Sequence, residues 1–264
     1  MTTDFKNIAI QEANGVANIV LTQPSPKNSL SIATLKELYT AFTSYQGRDD
    51  IRSLIISGKD GVCSAGADLT DSNSYTDKSL LHMRRLAKLG ASVCEALEKL
   101  EQITFAAIEG HCIGGGLALS LACDFRVMAK SSYVCLPEVK YGMSMGWGAL
   151  PRLVALAGPA QAKRLVIFGE ALGATDAVKA GLADDCVDDG QAVSVAQEWA
   201  HKVTGLPPIS VQMTKEAINA IALAGTAAHT YMEHDQFLLT LASRDLQEGI
   251  AAFLQKRTPS FSGE

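Results

Sequence analysis

Two stretches of the chain carry residues whose types and spacing could do chemistry. In residues 109–124 (EGHCIGGGLALSLACD) three consecutive glycines, Gly114, Gly115 and Gly116, follow the apolar run 103–108 and precede residues 117–122, which read as a buried helix. The glycines stand where a strand passes into a helix. The first amides of a helix have no acceptor within it and lie at the positive end of its dipole. Glycine lets a ligand atom reach that backbone without meeting a Cβ. Such a place suits an anion or a developing oxyanion. Tight strand–helix packing accounts for the same glycines equally well. A dinucleotide fingerprint is excluded, because Leu119 stands where its third glycine belongs, and no Gly-Lys-Ser/Thr of a phosphate loop occurs. The second stretch, residues 131–148 (SSYVCLPEVKYGMSMGWG), holds one acidic residue, Glu138, among apolar and small neighbours. Cys63 and Ser64 lack the elbow motif and the histidine partner of a nucleophile.

Bulk properties narrow the classes. A chain of 264 residues allows one large domain, or a domain with an appendage. With 47% hydrophobic and 19% charged residues it can bury a sizeable core. The net charge of −5 argues against a general binder of nucleic acid or membrane surfaces, though a local basic patch for a phosphorylated ligand stays open. None of the six cysteines forms a C-x-x-C pair, and most lie in apolar surroundings, as reduced core residues do. The start, MTTDFKNIAIQ, has no charged-then-apolar signal, and no apolar run nears the ~20 residues that span a bilayer. The expectation is a soluble protein of a reducing compartment, the cytoplasm.

The elements that must position these residues follow in order. Residues 5–22 alternate around Asn14-Gly15, a hairpin signal. Ser31 is an N-cap for a helix with Leu35, Leu38, Phe42 and Tyr45 on one face. A strand at 52–57 runs through a turn into residues 62–69 (VCSAGADL). The polar segment 70–79 is expected to be mobile, and a long amphipathic helix follows over 80–100. Then come the strand 103–108, the glycine turn and its helix, a strand at 125–129, and an irregular segment, 131–148. Beyond Pro151 helices dominate: one over 160–168, one capped by Thr175, and one over 191–203 after a short strand at 184–187. Gly205-Leu206-Pro207-Pro208 is the clearest break, with helices near 208–223, 227–242 and 245–256 after it. Their apolar faces must be buried on the core or on another subunit.

Taken together, the chain resembles the enoyl-CoA hydratase/isomerase (crotonase) superfamily, from GVANIVLTQPSPKNSL to FLQKRTPSF. Residues 64–69 (SAGADL) look like its first oxyanion loop, residues 110–124 like its second, and residues 136–142 (LPEVKYG) like its catalytic acid segment. The resemblance implies an α/β fold: a crotonase-type spiral of repeated ββα units over 1–204, then an all-helical trimerisation region over 205–264 that also closes the active site. It implies an acyl-CoA ligand whose thioester oxygen accepts hydrogen bonds from the amides of Ala67 and Gly115. Lys27 resembles a contact to the pantetheine and adenine side, Ala65, Asp68 and Leu69 belong to the loop that wraps the ligand, and Gly114, Pro137 and Trp147 line its pocket. Phe253 and Lys256 resemble a C-terminal contact, which a neighbouring subunit can supply. Lys27 and Lys256 read equally well as solvated charges, and Asp68 and Asp124 as loop-holding residues. No cofactor beyond the coenzyme A of the substrate is implied, and no metal, nucleic acid or membrane. The expected assembly is a homotrimer or a dimer of trimers.

An enolate needs a base. By position Glu138 matches the family's second catalytic glutamate, and Leu136, Pro137 and Val139 would desolvate it and raise its pKa. One departure matters. Typical hydratases carry a second glutamate three residues after the oxyanion glycine, where this chain has Ala118. A single glutamate suits a proton shuttle from C2 to C4, which is Δ3 to Δ2 enoyl-CoA isomerisation. The runner-up is a hydratase or hydratase-lyase with a non-standard polar partner, for which His82 and His111 are candidates ahead of Tyr75 and Ser120. A reading of another class is a non-catalytic acyl-CoA-binding protein.

Overall fold

The computed structural model describes residues 4–23, 27–68 and 79–264; Leu69 and Tyr75, and all of the 70–79 segment but Ser79, lie outside the described residues. The chain begins with β1 (Ile8–Ala13) and β2 (Val16–Leu21), joined through Asn14 and Gly15, both at positive φ as a tight hairpin requires. α1 (Ile32–Ser44) starts where expected: the Ser31 hydroxyl accepts from the Thr34 amide, a cap whose loss typically costs ~1 kcal/mol. β3 (Ser53–Gly58), α2 (Leu80–Glu98), β4 (Ile103–Ile108), β5 (His111–Ile113), α3 (Gly115–Leu121), β6 (Phe125–Ala129), β7 (Tyr133–Cys135) and α4 (Ala149–Ile167) follow. Then come β8 (Leu172–Gly173), α5 (Ala174–Lys179), β9 (Asp185–Val187) and α6 (Ala192–Thr204). The C-terminal helices are α7 (Pro208–Ala222), α8 (Thr226–Thr230), α9 (Glu233–Leu241) and α10 (Arg244–Gln255).

The strands form a six-stranded sheet in the order β1-β2-β3-β4-β6-β9 and a three-stranded sheet in the order β5-β7-β8. After the antiparallel hairpin every pairing in the large sheet is parallel, so each strand must be followed by a crossover. Successive turns share one plan. β4 enters the large sheet, β5 the small one, and α3 returns; β6, β7 and α4 repeat it. Isolated parallel bridges, Leu30 to Ala67 and Ser64 to Cys112, extend the small stack to the two earlier turns. This is the expected spiral of ββα units with C-terminal helices.

One face of the large sheet packs Ile55, Phe105 and Val127 against Ala192, Ala196 and Ala200 of α6. The main core, with Phe42, Leu54, Leu97 and Leu117, fills the other side under α1, α2 and α3. α7 is pinned by one buried contact: Lys215 Nζ donates to Asp124 Oδ2 and to the Gln102 carbonyl, both at 2.7 Å. Asp124 Oδ2 also accepts from the Thr104 amide and hydroxyl, so its expected loop-holding role is seen, with an ion pair added. All six cysteines are free thiols, four of them buried. Among the described residues no helix is long and apolar enough to cross a membrane.

Four expectations are corrected. The run 103–108 does not lead straight into the glycines, because the three-residue β5 intervenes in the other sheet. The segment 131–148 is not irregular throughout; it holds β7 and a 3-10 turn at Glu138–Tyr141. The helix expected over 160–168 begins at Ala149 and is kinked at Gly158, where the backbone leaves helical angles before Pro159. Thr175 caps nothing: α5 starts at Ala174 after Gly173, with no side-chain cap. In addition the helix expected over 227–242 is broken between α8 and α9.

Candidate active site

The spiral brings one functional group from each of three successive turns to the same place, the end of the small-sheet segment just before the helix. The first is the 64–67 segment. Leu30 donates to the Gly66 carbonyl at 2.8 Å and accepts from the Asp68 amide at 3.2 Å. A parallel bridge that uses the groups on either side of Ala67 turns its own amide the opposite way, and Ala67 is exposed there. The second is the glycine turn. Gly114 N donates to the Cys135 carbonyl at 2.8 Å, prolonging the ladder of β5 on β7, and Gly115 is the first residue of α3, whose amide has no acceptor in the helix. The loops meet closely: a Cβ on Gly66 would lie 2.8 Å from the Ile113 oxygen and 3.6 Å from the Gly115 nitrogen. Cys63 and Cys112 join them from beneath, sulfur to sulfur at 2.7 Å.

The third group is Glu138, first residue of the 3-10 turn that follows β7 and Pro137. Its Oε1 lies 2.6 Å from where a Cβ on Gly114 would sit, and Gly114 has φ +52°. Positive φ and that close approach both require glycine at this position. Oε2 is sealed from solvent and has no hydrogen-bond partner among the described residues. Burial pushes the Glu138 carboxyl up to about 7, opposed only by a hydrogen bond to its own backbone. A first-turn helix amide, with the Ala67 loop against it and a carboxyl that titrates near neutrality beside it, can hold an oxyanion and exchange a proton. Ala118 points into the main core, fully buried, so no polar group faces the space from that position.

The remaining expected residues fall into three places. Lys27, Ala65 and Asp68 share one loop cluster: the Lys27 carbonyl accepts from Ala65 N at 3.0 Å, and Asp68 Oδ2 accepts from the Ser29 hydroxyl at 3.4 Å. Asn28, with φ +57°, ties that cluster to the preceding turn by donating to the carbonyls of Lys59 and Val62. Trp147 packs on the glycine turn, its ring occupying the space that a Cβ on Gly115, or on Gly90 of α2, would need. Phe253 packs edge-on against Tyr141 of the same chain, ring centres 5.2 Å apart, at the far end of the Glu138 turn. Lys256 ends α10 in a left-handed conformation and is exposed. His82 is exposed, and its amide is engaged by the Ser79 cap. His111 is half-buried with its ring tilted against Tyr133; burial, and then Lys27, hold its pKa below the usual value. Ser120 is buried and donates to the Gly116 carbonyl.

The enoyl-CoA hydratase/isomerase family model matches residues 11–264. The chain belongs to the enoyl-CoA hydratase/isomerase family. It is 30% identical to the crotonyl-CoA hydratase of Syntrophomonas wolfei, over 97% of this chain and 98% of that one. It is 32% identical to an enoyl-CoA isomerase/hydratase of Mycosarcoma maydis, over 96% and 94%. The crystal structure of an enoyl-CoA hydratase from Mycobacterium avium subsp. paratuberculosis superposes with a TM-score of 0.88 over 98% of this chain and all of that one; at 22% identity this likeness speaks to the fold.

For a member of this family, one feature escaped the sequence reading. The turn at residues 146–148 is clamped from two sides. Both carboxylate oxygens of Glu233, buried at the start of α9, accept from the Gly148 amide, at 2.9 and 3.0 Å. Arg152 donates to the carbonyls of Trp147 and Gly148, both at 3.0 Å, and its Nε is held by Glu98 at 2.6 Å. The clamp has work to do. Trp147 has φ +64°, a conformation that typically costs ~1–3 kcal/mol for a bulky residue. Gly146-Trp147-Gly148 was a visible signal for positive φ. Glu233 was not visible, because it fell inside what read as one helix over 227–242.

Proposed function

We propose that the chain isomerises 3-enoyl-CoA thioesters to 2-enoyl-CoA, with Glu138 as the only proton carrier. The observation that carries this reading is the state of Glu138: half-buried, with one sealed oxygen that has no partner among the described residues, titrating near neutrality, and lying against Gly114. The thioester oxygen would accept from Ala67 N and Gly115 N. Ionised Glu138 takes a proton from C2, and the electron pair moves into the thioester as an enolate, which the two amides stabilise. The protonated carboxyl then delivers that proton to C4, the double bond shifts to C2–C3, and the carboxylate is regenerated. Nothing in this cycle needs a water-handling carboxylate, which agrees with Ala118 in the core. Lys27, Ala65 and Asp68 would meet the coenzyme A arm.

A second reading, hydration of 2-enoyl-CoA with a non-standard partner for Glu138, is favoured by one observation: the Syntrophomonas wolfei relative is named a hydratase. One paired assay separates the two. Purified protein is offered trans-3-hexenoyl-CoA, with formation of the conjugated thioester followed, and crotonyl-CoA, with its loss followed. Turnover in the first arm only, abolished in Glu138→Gln, is the expected result. Efficient hydration in the second arm would overturn the proposal. Tight acyl-CoA binding with silence in both arms would favour a non-catalytic binder.

The same reading takes the exposed apolar face of α7, with Ile209, Met213, Ile218 and Ile221, as a contact between copies in a homotrimer or dimer of trimers. Sedimentation velocity at micromolar concentration should show no monomer. Six free thiols suit the reducing cytoplasm.

A further inference from the structure

The bulkiest side chain at the site takes no part in the proposed proton transfer. Trp147 lies across two glycines from different elements. Cζ3 and Cη2, the benzene end of the indole, fill the volume a Cβ would need on Gly115, while Nε1 and Cε2 fill the corresponding volume on Gly90. Gly90 lies inside α2, where glycine is a poor helix former, and its use there makes room for the ring. The contact atoms at Gly115 lie within roughly 5 Å of its amide nitrogen by standard backbone geometry. That amide is the donor assigned above to the thioester oxygen, so this argument rests on the acyl-CoA reading.

The direction of the acyl group follows. The coenzyme A arm leaves the thioester toward Lys27 and Ala65, which are joined to each other and sit on the Ala67 side. C2 and C4 must both come within reach of Glu138, whose Oε1 lies against Gly114. The rest of the acyl chain then continues away from the arm, past Gly115, where the indole stands. The backbone that carries the ring is clamped by Glu233 and by Arg152, and the ring itself is packed against Gly90 and Gly115.

We infer that Trp147 is a specificity-determining residue that closes the acyl end of the pocket and restricts the enzyme to short-chain acyl thioesters, with Glu233 as the positioning residue that holds it. The test is equilibrium binding of saturated butyryl-, octanoyl- and dodecanoyl-CoA to the full-length protein by calorimetry. These ligands cannot be isomerised or hydrated, so the outcome stands whatever the reaction proves to be. Wild type should bind butyryl-CoA at least as tightly as dodecanoyl-CoA. Trp147→Ala should tighten octanoyl- and dodecanoyl-CoA by about tenfold or more and weaken butyryl-CoA. Trp147→Phe, which keeps a smaller ring on both glycines, should fall between and carries the test where the alanine variant does not fold. Glu233→Gln should move the chain-length ratio in the same direction as Trp147→Ala, by less, which a merely structural loss would not do. Tightest wild-type binding of dodecanoyl-CoA, or an equal shift for all three ligands in Trp147→Ala, would overturn the inference. No binding of any of the three would instead sink the acyl-CoA reading beneath it.

Discussion

Glu138, half-buried, and Glu233, fully buried, are acidic side chains near the Trp147 turn, and burial raises the pKa of each. Their hydrogen bonding differs. Glu233 spends both oxygens on the Gly148 amide and has Arg152 nearby, which together hold its pKa down against burial. Glu138 keeps an oxygen with no partner among the described residues. Burial alone therefore does not mark a base. An unsatisfied oxygen is costly in a fold, and here it belongs to the carboxyl that lies against the glycine turn; a satisfied pair of oxygens is a structural clamp.

The comparison can be broken in several ways. Glu138→Gln keeps size and removes the base, so kcat on trans-3-hexenoyl-CoA should fall by roughly 10²–10⁴-fold, the usual worth of a positioned acid–base group, with acyl-CoA binding retained. Glu233→Gln should leave kcat within about an order of magnitude, since a neutral amide oxygen can still accept from Gly148 N. Comparable losses in the two variants would erase the distinction.

Stability should separate them in the opposite sense. The folded-state pKa of Glu138, about 7, lies above its ordinary value of 4.5. A carboxyl raised on folding contributes stability that is fully present below pH 4.5 and is lost as pH rises through 7. Glu138→Gln is free of that loss, so it should be more stable than wild type at pH 8, by up to roughly 3 kcal/mol, and the gap should close at pH 5. Thermal melts at the two pH values read this directly; equal melting points at pH 8 would show that the carboxyl is not desolvated. Glu233→Ala should instead melt lower at every pH, because it strands the Gly148 amide and leaves Arg152 without its counter-charge on that side, a loss of about 1–3 kcal/mol.

The smallest effect sharpens the glycine turn. Gly114→Ala places a methyl against Glu138 Oε1 and forces a side chain into positive φ, so it should cost activity by displacing the carboxylate while α3 and its core contacts persist. A tryptophan fluorescence spectrum unlike that of wild type would show that the turn itself had moved.

Much of this site was legible because its residues lie in local motifs. The glycine turn and the apolar frame of Glu138 are read within a few positions, and Ser31 and Asn14-Gly15 announced a helix and a hairpin in the same way. What was illegible depends on contacts distant in sequence. β5 and β7 are three residues each, too short for a periodic signal, and exist because they pair with one another. Lys215 reads as a surface lysine of α7 until Asp124, distant in sequence, is seen beside it. Glu233 reads as a helix-interior acid until the break before α9 turns it onto Gly148.

The central claim is that one desolvated carboxylate, that of Glu138, ionised in the free enzyme, starts the reaction as a base. The most direct measurement is kcat/KM for isomerisation of trans-3-hexenoyl-CoA between pH 5 and 9. The account predicts a rise with pH through a single ionisation near 7, then a plateau. A profile that falls through that region, as for a group needed in its protonated form, or one that stays flat, would contradict it.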